Sequence, residues 1–418
     1  MEKLSEKALL TLEHNSDAMI QDLAELVRIR SVVGFEGEAQ KWIAKKMASM
    51  GLAVETFEAD KTTLLNHPAY VQVEWPYAGR PNVIGKLQGD SKAKSLILNG
   101  HVDVVSAEPI GQWTHDPWGA EIHDGKMYGR GTADMKAGLI ANLYAVKAVM
   151  EADAIPKGSI LLYSVIEEEA GGGGGTLACL LQGYRANAML NTEPFLKVAI
   201  AHPGILYFRV KVQGKSIHAG RSHLGVNAAG KMIPIYETLM KLDEERAKRL
   251  HFRLAEMDSG RSCNLNIGTF HAGDWPSNVA GSATMECRIS FVPGETEESV
   301  KREITERIME AACKDPWLRN RPPEVEWFGW HANPWIQDET DPFIQLVQKN
   351  GRDVLGVEPP IVGKPAGLDT RFCTEFGISA CAFGPNGGNI HGVDEWVDLD
   401  SVVQTAKVAA LTVLDWCR

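Results

Sequence analysis

Residues 135–150 read MKAGLIANLYAVKAVM, and they are flanked by SLILNG at 95–100 and GSILLYSVI at 158–166. The central segment is apolar on every side and carries small residues for close packing, which predicts a buried helix. The flanking runs are apolar without alternation, as in strands covered on both faces. Strand, helix and strand in that order predict a parallel or mixed sheet covered by helices.

The same rhythm extends outward. Helical spacing runs from Asp17 to Ser49, broken by SVVGFEG, and further strands are expected at Ala186–Leu190 and Ser379–Gly384. A last helix is expected over Ser401–Trp416. The middle of the chain differs. ILYFRVKVQG (205–214) alternates apolar and polar residues, as a half-exposed antiparallel strand does. A helix near Asn227–Leu242, strands at Asn264–Phe270 and Ala283–Val292, and a helix at Glu297–Ala312 follow. That order predicts a small α+β, ferredoxin-like domain with one open sheet face. The fold class is therefore α/β. Residues 1–203 and 325–418 form a catalytic domain, and 204–324 an inserted one. A chain of 418 residues suits two cores better than one.

Composition narrows the function. The net charge of −11 argues against nucleic acid or an anionic membrane as partner. The first residues are charged throughout and lack a signal-peptide core, and no later run reaches transmembrane length, so a cytoplasmic protein is expected. The seven cysteines are scattered, with no Cys-x-x-Cys pair. They read as reduced thiols rather than a disulfide frame or thiolate zinc site.

Five places carry candidate chemistry. In LNGHVDVV, His101 and Asp103 follow a predicted strand, where ligands bind in open α/β sheets. The pair suits a metal-binding imidazole with a carboxylate that fixes its tautomer, or an ordinary structural pair. Asp134, in GRGTADMKAG, stands before a helix and suits either a ligand or an N-cap. Glu167, Glu168 and Glu169 precede five glycines. Adjacent carboxylates repel unless a cation neutralises them, so the triplet is either a solvated acidic turn or a ligand beside a general base. Glu193 in LNTEP and His391 in GPNGGNIHGVDEW also follow predicted strands, and each alone suits a polar loop. Together, two imidazoles and three carboxylates at strand ends of one domain suit a pair of zinc-like ions bridged by one carboxylate, with a spare Glu as base.

At these residues the chain resembles the metallohydrolase family of acetylornithine deacetylase, succinyl-diaminopimelate desuccinylase, glutamate carboxypeptidase and aminoacylase. The likeness spans nearly the whole chain. It rests on NGHVDVV, DPWGAEIHDGKMYGRGTADMKAG, EEE with its glycines, TEP, GKSIHAG, RISFVPGET, LDTRF and HGVDEW, in that order. It implies two divalent metals per chain, zinc first and cobalt or manganese otherwise. His101 and Glu193 would hold one metal, Glu169 and His391 the other, and Asp134 would bridge. Glu168 would be the general base and Asp103 the partner of His101. His218 would reach a neighbouring subunit's site, because the family's inserted domain is a lid that pairs two subunits, so a homodimer is implied. Arg288 and Asn278 would hold a substrate carboxylate, with Arg371 near Asp369 another possibility. The family usually shows two adjacent Glu residues where this chain has three, so Glu167 and Glu168 form a competing base–ligand pair.

The expected reaction is hydrolysis of an amide bond by metal-activated water, with an N-acyl amino acid as substrate. A dipeptidase or carboxypeptidase acting on a short peptide uses the same chemistry. A non-catalytic binding relative is the reading from another class.

Overall fold

In the computed structural model, which describes residues 2–418, the strand Leu96–Asn99 has a parallel neighbour on each side. Ile160–Ser164 pairs through Leu96↔Ile160, and Ala188–Asn191 through Leu96↔Ala188. Ser379–Ala382 adds a fourth parallel strand beside Ala188–Asn191. All four residues of Leu96–Asn99 are buried, the physical reason its sequence does not alternate. Antiparallel strands Asn82–Leu87 and Ala53–Phe57 continue the sheet beyond Ile160–Ser164. On the other side an antiparallel strand begins at Val198, with Ala199 opposite Ala382.

The helix Ala137–Glu151 is buried along most of its length and packs against Leu399–Trp416. Asn142 ties it to the sheet, donating to Asn99 O at 3.0 Å and Thr192 Oγ1 at 2.8 Å. Gly138 permits the approach, since a Cβ there would lie 2.0 Å from Thr192 O. Leu399–Trp416 starts where Asp398 accepts the Ser401 N–H at 2.8 Å, an N-cap. Asp341 caps Pro342–Leu355 in the same way, and Gly356 closes it at φ 73°.

Two compact units result. The first comprises the chain up to Ile200 with Gln337–Val362 and Leu368–Arg418, and the second Ala201–Ile336 with Gly363–Gly367. The second holds an antiparallel sheet in the order Leu265–Ala272, Ser282–Phe291, Gly204–Gln213, Glu324–Ala332. One face packs Phe208, Val210, Met285 and Ile289 against Ile235 and Leu239 of one helix and Ile304 and Ile308 of another. The expected boundary at residue 324 is corrected here. Glu324–Ala332 is a fourth strand of this sheet, paired to Gly204–Gln213 from Glu324↔Lys211 to Ala332↔Ile205. Its register slips between Phe328 and His331, which breaks the alternation that would have marked it as a strand.

The first unit also contains a small sheet that the sequence patterns do not predict. It pairs Glu121–His123, Lys126–Tyr128, Trp396–Asp398 and Gly387–Gly388 in that order. Asp124 and Gly125, at φ 50° and 73°, form the tight hairpin turn. Among the described residues, no helix is long and apolar enough to cross a membrane. All seven cysteines are free, and only Cys313 is exposed.

Candidate metal centre

His101 and Glu193 each stand two residues past a parallel strand, Leu96–Asn99 and Ala188–Asn191. Glu168 and Glu169 lie in a 3₁₀ turn that follows Ile160–Ser164. Three adjacent parallel strands thus deliver four side chains to one sheet edge. Asp134 comes from the kinked turn Thr132–Lys136 that leads into the central helix, and His391 from the loop before Trp396–Asp398. Asp134 is not a helix cap. Lys136 occupies the N-cap position of Ala137–Glu151 with no side-chain cap bond, and the Asp134 carboxylate faces imidazoles.

The arrangement has two halves. Asp134 Oδ1 lies 3.1 Å from His101 Nε2, which is also 3.4 Å from Glu193 Oε1. Asp134 Oδ2 lies 3.7 Å from His391 Nε2, which is 2.9 Å from Glu169 Oε2. Glu168 Oε2 sits 4.0 Å from His101 Nε2.

Surrounding groups fix these orientations. His101 Nδ1 lies 2.9 Å from the Asp103 carbonyl oxygen and 3.5 Å from its Oδ1, so it acts as the donor and turns Nε2 toward the centre. Asp103 Oδ2 accepts the Glu169 N–H. Behind Asp134 lies Glu395. Its Oε1 accepts the N–H groups of Ala133 (3.0 Å) and Asp134 (3.2 Å), and its Oε2 those of Gly131 and the Arg130 guanidinium. His391 is held at φ 61°, a strained value for a residue with a side chain.

The Glu triplet divides. Glu167 turns away into a buried network. Its Oε1 accepts from Tyr77 Oη at 3.1 Å and Gly174 N at 2.8 Å, and Arg80 lies 3.7 Å from its Oε2. Gly174 cannot be larger, because a Cβ would lie 2.8 Å from Glu167 Oε2 and 2.3 Å from the Tyr77 ring.

Against burial, His101 and His391 hold Asp134 below its ordinary value, while the other groups shift toward their protonated forms. Burial, then the Glu193 charge, push Glu168 well above the usual carboxylate range. Burial, then the Asp134 charge, push Glu169 and Glu193 up to about 7. His391 rises to about 9, chiefly through its bond to Glu169. Burial opposes charge on His101, yet Asp103, Asp134 and Glu193 together raise it well above its ordinary value. Each of these raised groups is short of positive charge. Glu193 Oε1 is buried, and its neighbour His101 Nε2 stands off at 3.4 Å, as expected of an oxygen aimed at a cation. Two sets, His101–Glu168–Glu193 and His101–Asp134–Glu169, bring donor atoms within 4.8 Å of one another. Imidazole and carboxylate donors of this kind fit divalent ions such as zinc.

Residues 97–415 match the model of peptidase family M20/M25/M40. The chain belongs to that family. Its members are metal-dependent hydrolases of amide bonds. This M20/M25/M40 chain is 28% identical over 405 residues to the N-formyl-4-amino-5-aminomethyl-2-methylpyrimidine deformylase of Bacillus subtilis, covering 90% of this chain and 89% of the relative. It is 26% identical to the succinyl-diaminopimelate desuccinylase of Thioalkalivibrio sulfidiphilus, covering 93% and 96%. The solved structure of the di-peptidase Dug1p of Saccharomyces cerevisiae shares the fold, with a TM-score of 0.80 at 15% identity, covering 100% and 99%.

The remaining candidates of this M20/M25/M40 chain lie in two places. In the second unit, His218 and Asn278 form a backbone bridge. His218 is exposed and its Nδ1 accepts the Gly220 N–H at 3.1 Å, which leaves Nε2–H as an outward donor. Arg288, also in the second unit, donates to Pro365 O at 3.2 Å. Among the described residues it faces no carboxylate, and burial lowers its pKa. In the first unit, Arg371 donates to the Leu368 and Gly171 carbonyls, and Asp369 accepts from Thr176 Oγ1 at 2.6 Å. Sequence reasoning missed Glu395 and the network of Glu36, Arg80 and Tyr77 behind Glu167. The only signal for Glu395 was its place in HGVDEW.

Proposed function

We propose that this chain is a two-metal deacylase that removes an acyl group from an N-acyl amino acid. The observation that carries the reading is the split of Asp134, one oxygen toward His101 and Glu193 and the other toward His391 and Glu169. His101, Asp134 and Glu193 would hold one ion, and Asp134, Glu169 and His391 the other. Bound ions of this kind polarise a carbonyl and acidify a water.

The chain's own groups do the rest. Glu168 is buried beside the centre and pushed toward its protonated form, which suits a group that takes a proton from the attacking water and passes it to the leaving nitrogen. The engaged Glu167 supports Glu168 and Glu169 as the base–ligand pair. In a homodimer, His218 of one subunit would offer its Nε2–H to the oxyanion at the other subunit's centre. Arg288, short of an anionic partner, suits a substrate carboxylate, and Asn278 is a further candidate donor. Two curated relatives named for removing formyl and succinyl groups support deacylation over peptide cleavage. Free thiols throughout suit the cytoplasm.

The test is metal content and activity on one sample. Zinc, cobalt and manganese are assayed, and hydrolysis is followed with and without chelator on N-acetyl, N-formyl and N-succinyl amino acids and on dipeptides. Chelator-sensitive release of an acyl group from one amino acid is the expected result. Preference for dipeptides would replace deacylase with dipeptidase, and metal-loaded protein inert on the whole panel would leave a binding protein.

A further inference from the structure

A second cluster of metal-ligating side chains lies on the small sheet of the first unit, and it shares no residue with the centre described above. Glu121 and His123 are two apart on one strand, so both side chains leave the same face. His115 joins them from the preceding turn. Glu121 Oε2 lies 3.0 Å from His115 Nδ1 and 3.3 Å from His123 Nε2. The donor atoms of all three residues lie within 4.8 Å of one another.

The fold holds these donors from behind. The His115 ring stacks on Tyr128 with centroids 4.1 Å apart, and Tyr128 is the residue opposite Glu121 across the hairpin. The N–H groups of Thr114 and His115 both donate to Asp394 Oδ1, at 2.8 and 3.1 Å. Glu121 Oε1 is occupied by the Asp116 N–H at 3.3 Å, which leaves Oε2 to the imidazoles. Support of this kind is what orients ligands around an ion.

We propose that His115, Glu121 and His123 form a further cation site on this protein, one that takes a borderline divalent ion such as zinc. Two imidazoles and one carboxylate are the donor set such ions prefer, whereas calcium and magnesium seek several oxygens. The side chains of His115, Glu121 and His123 are 22%, 42% and 56% exposed, so water completes the coordination and the ion exchanges freely. The competing arrangement is metal-free, with Glu121 simply bonded to both imidazoles.

Zinc titration of the full chain with chelator competition separates the two. Wild-type protein is expected to take up one more zinc equivalent than the His115→Ala/His123→Ala variant, and that variant is expected to retain hydrolysis. The His ring signals of the wild type shift on binding this last equivalent. Equal uptake by the two proteins overturns the site. Where the double variant does not fold, His123→Gln, which changes one exposed side chain, must weaken uptake of the last equivalent at least tenfold, and unchanged affinity overturns the proposal. The quantity measured is a difference between two proteins, so the outcome does not depend on how many ions the first centre holds or on the substrate.

Discussion

Asp103 Oδ2 accepts the backbone N–H of Glu169 at 3.1 Å. The other oxygen of the same carboxylate sits 3.5 Å from His101 Nδ1. One buried side chain therefore steadies a group in each half of the centre. Asp103→Ala removes both supports and is expected to weaken metal binding about 10–100-fold. Competition with a chromophoric chelator reads this directly. Asp103→Asn keeps an acceptor and should fall between. Wild-type affinity in the alanine variant would show that Asp103 orients nothing.

Glu168→Gln keeps the size of the side chain and removes its ability to take a proton. Turnover is expected to drop by about 10²–10⁴-fold. Metal content should stay at the wild-type level, since Glu168 is not among the proposed ligands. Both quantities are measured on one preparation, and turnover near wild type would remove Glu168 as base.

Arg130 and Glu395 are both almost fully buried, and their side chains meet at 2.6 Å. Glu395→Ala strands the guanidinium and frees three backbone N–H groups in the Asp134 turn. Breaking a buried pair from one side costs about 3–5 kcal/mol. Urea denaturation of the variant and wild type checks this. Glu395→Gln retains acceptor geometry and should lose less, while a cost for Glu395→Ala within experimental error would mean that solvent reaches Arg130.

Metal removal should make stability depend on pH in a defined direction. Glu169 and Glu193 rise from 4.5 to about 7 through burial and the Asp134 charge, so the folded, metal-free chain keeps protons that the unfolded chain releases. Stability then falls as pH rises through that window. His391 rises from 6.5 to about 9, and its contribution, complete below 6.5, is lost as pH climbs through about 9. Both losses run the same way. The gap between the melting temperatures of metal-loaded and chelated protein is expected to widen from about pH 5 to about pH 9. A gap that stays constant or narrows contradicts it.

The parts of the fold legible in the sequence were those with one strong local pattern. Leu96–Asn99 and Ile160–Ser164 announce themselves because both faces are covered, so apolar residues run through them without alternation. His101, Glu193 and the Glu triplet were found because each follows such a run. Short or irregular elements were not legible. Strands of two or three residues, such as Gly387–Gly388 and Glu121–His123, are too brief to show a period. The bulge in Glu324–Ala332 erased its alternation. The central helix was read from Met135, but the chain is kinked at Asp134 and Met135 and the helix begins at Ala137. Glu395 resembles any acid in a polar loop, because its partners are distant in sequence and no local pattern records them.

That distance has a consequence for how the protein is made. The amide of Asp134 is held by a carboxylate 261 positions further along the chain. On the ribosome, His101 and the Glu triplet emerge long before the residue that shapes the turn between them. Until Glu395 arrives, this turn lacks the anchor for its Ala133 and Asp134 amides. Maturation is therefore a late event in synthesis, and nascent chains stalled before Glu395 should be open at this edge and vulnerable to proteases, whatever metal is at hand.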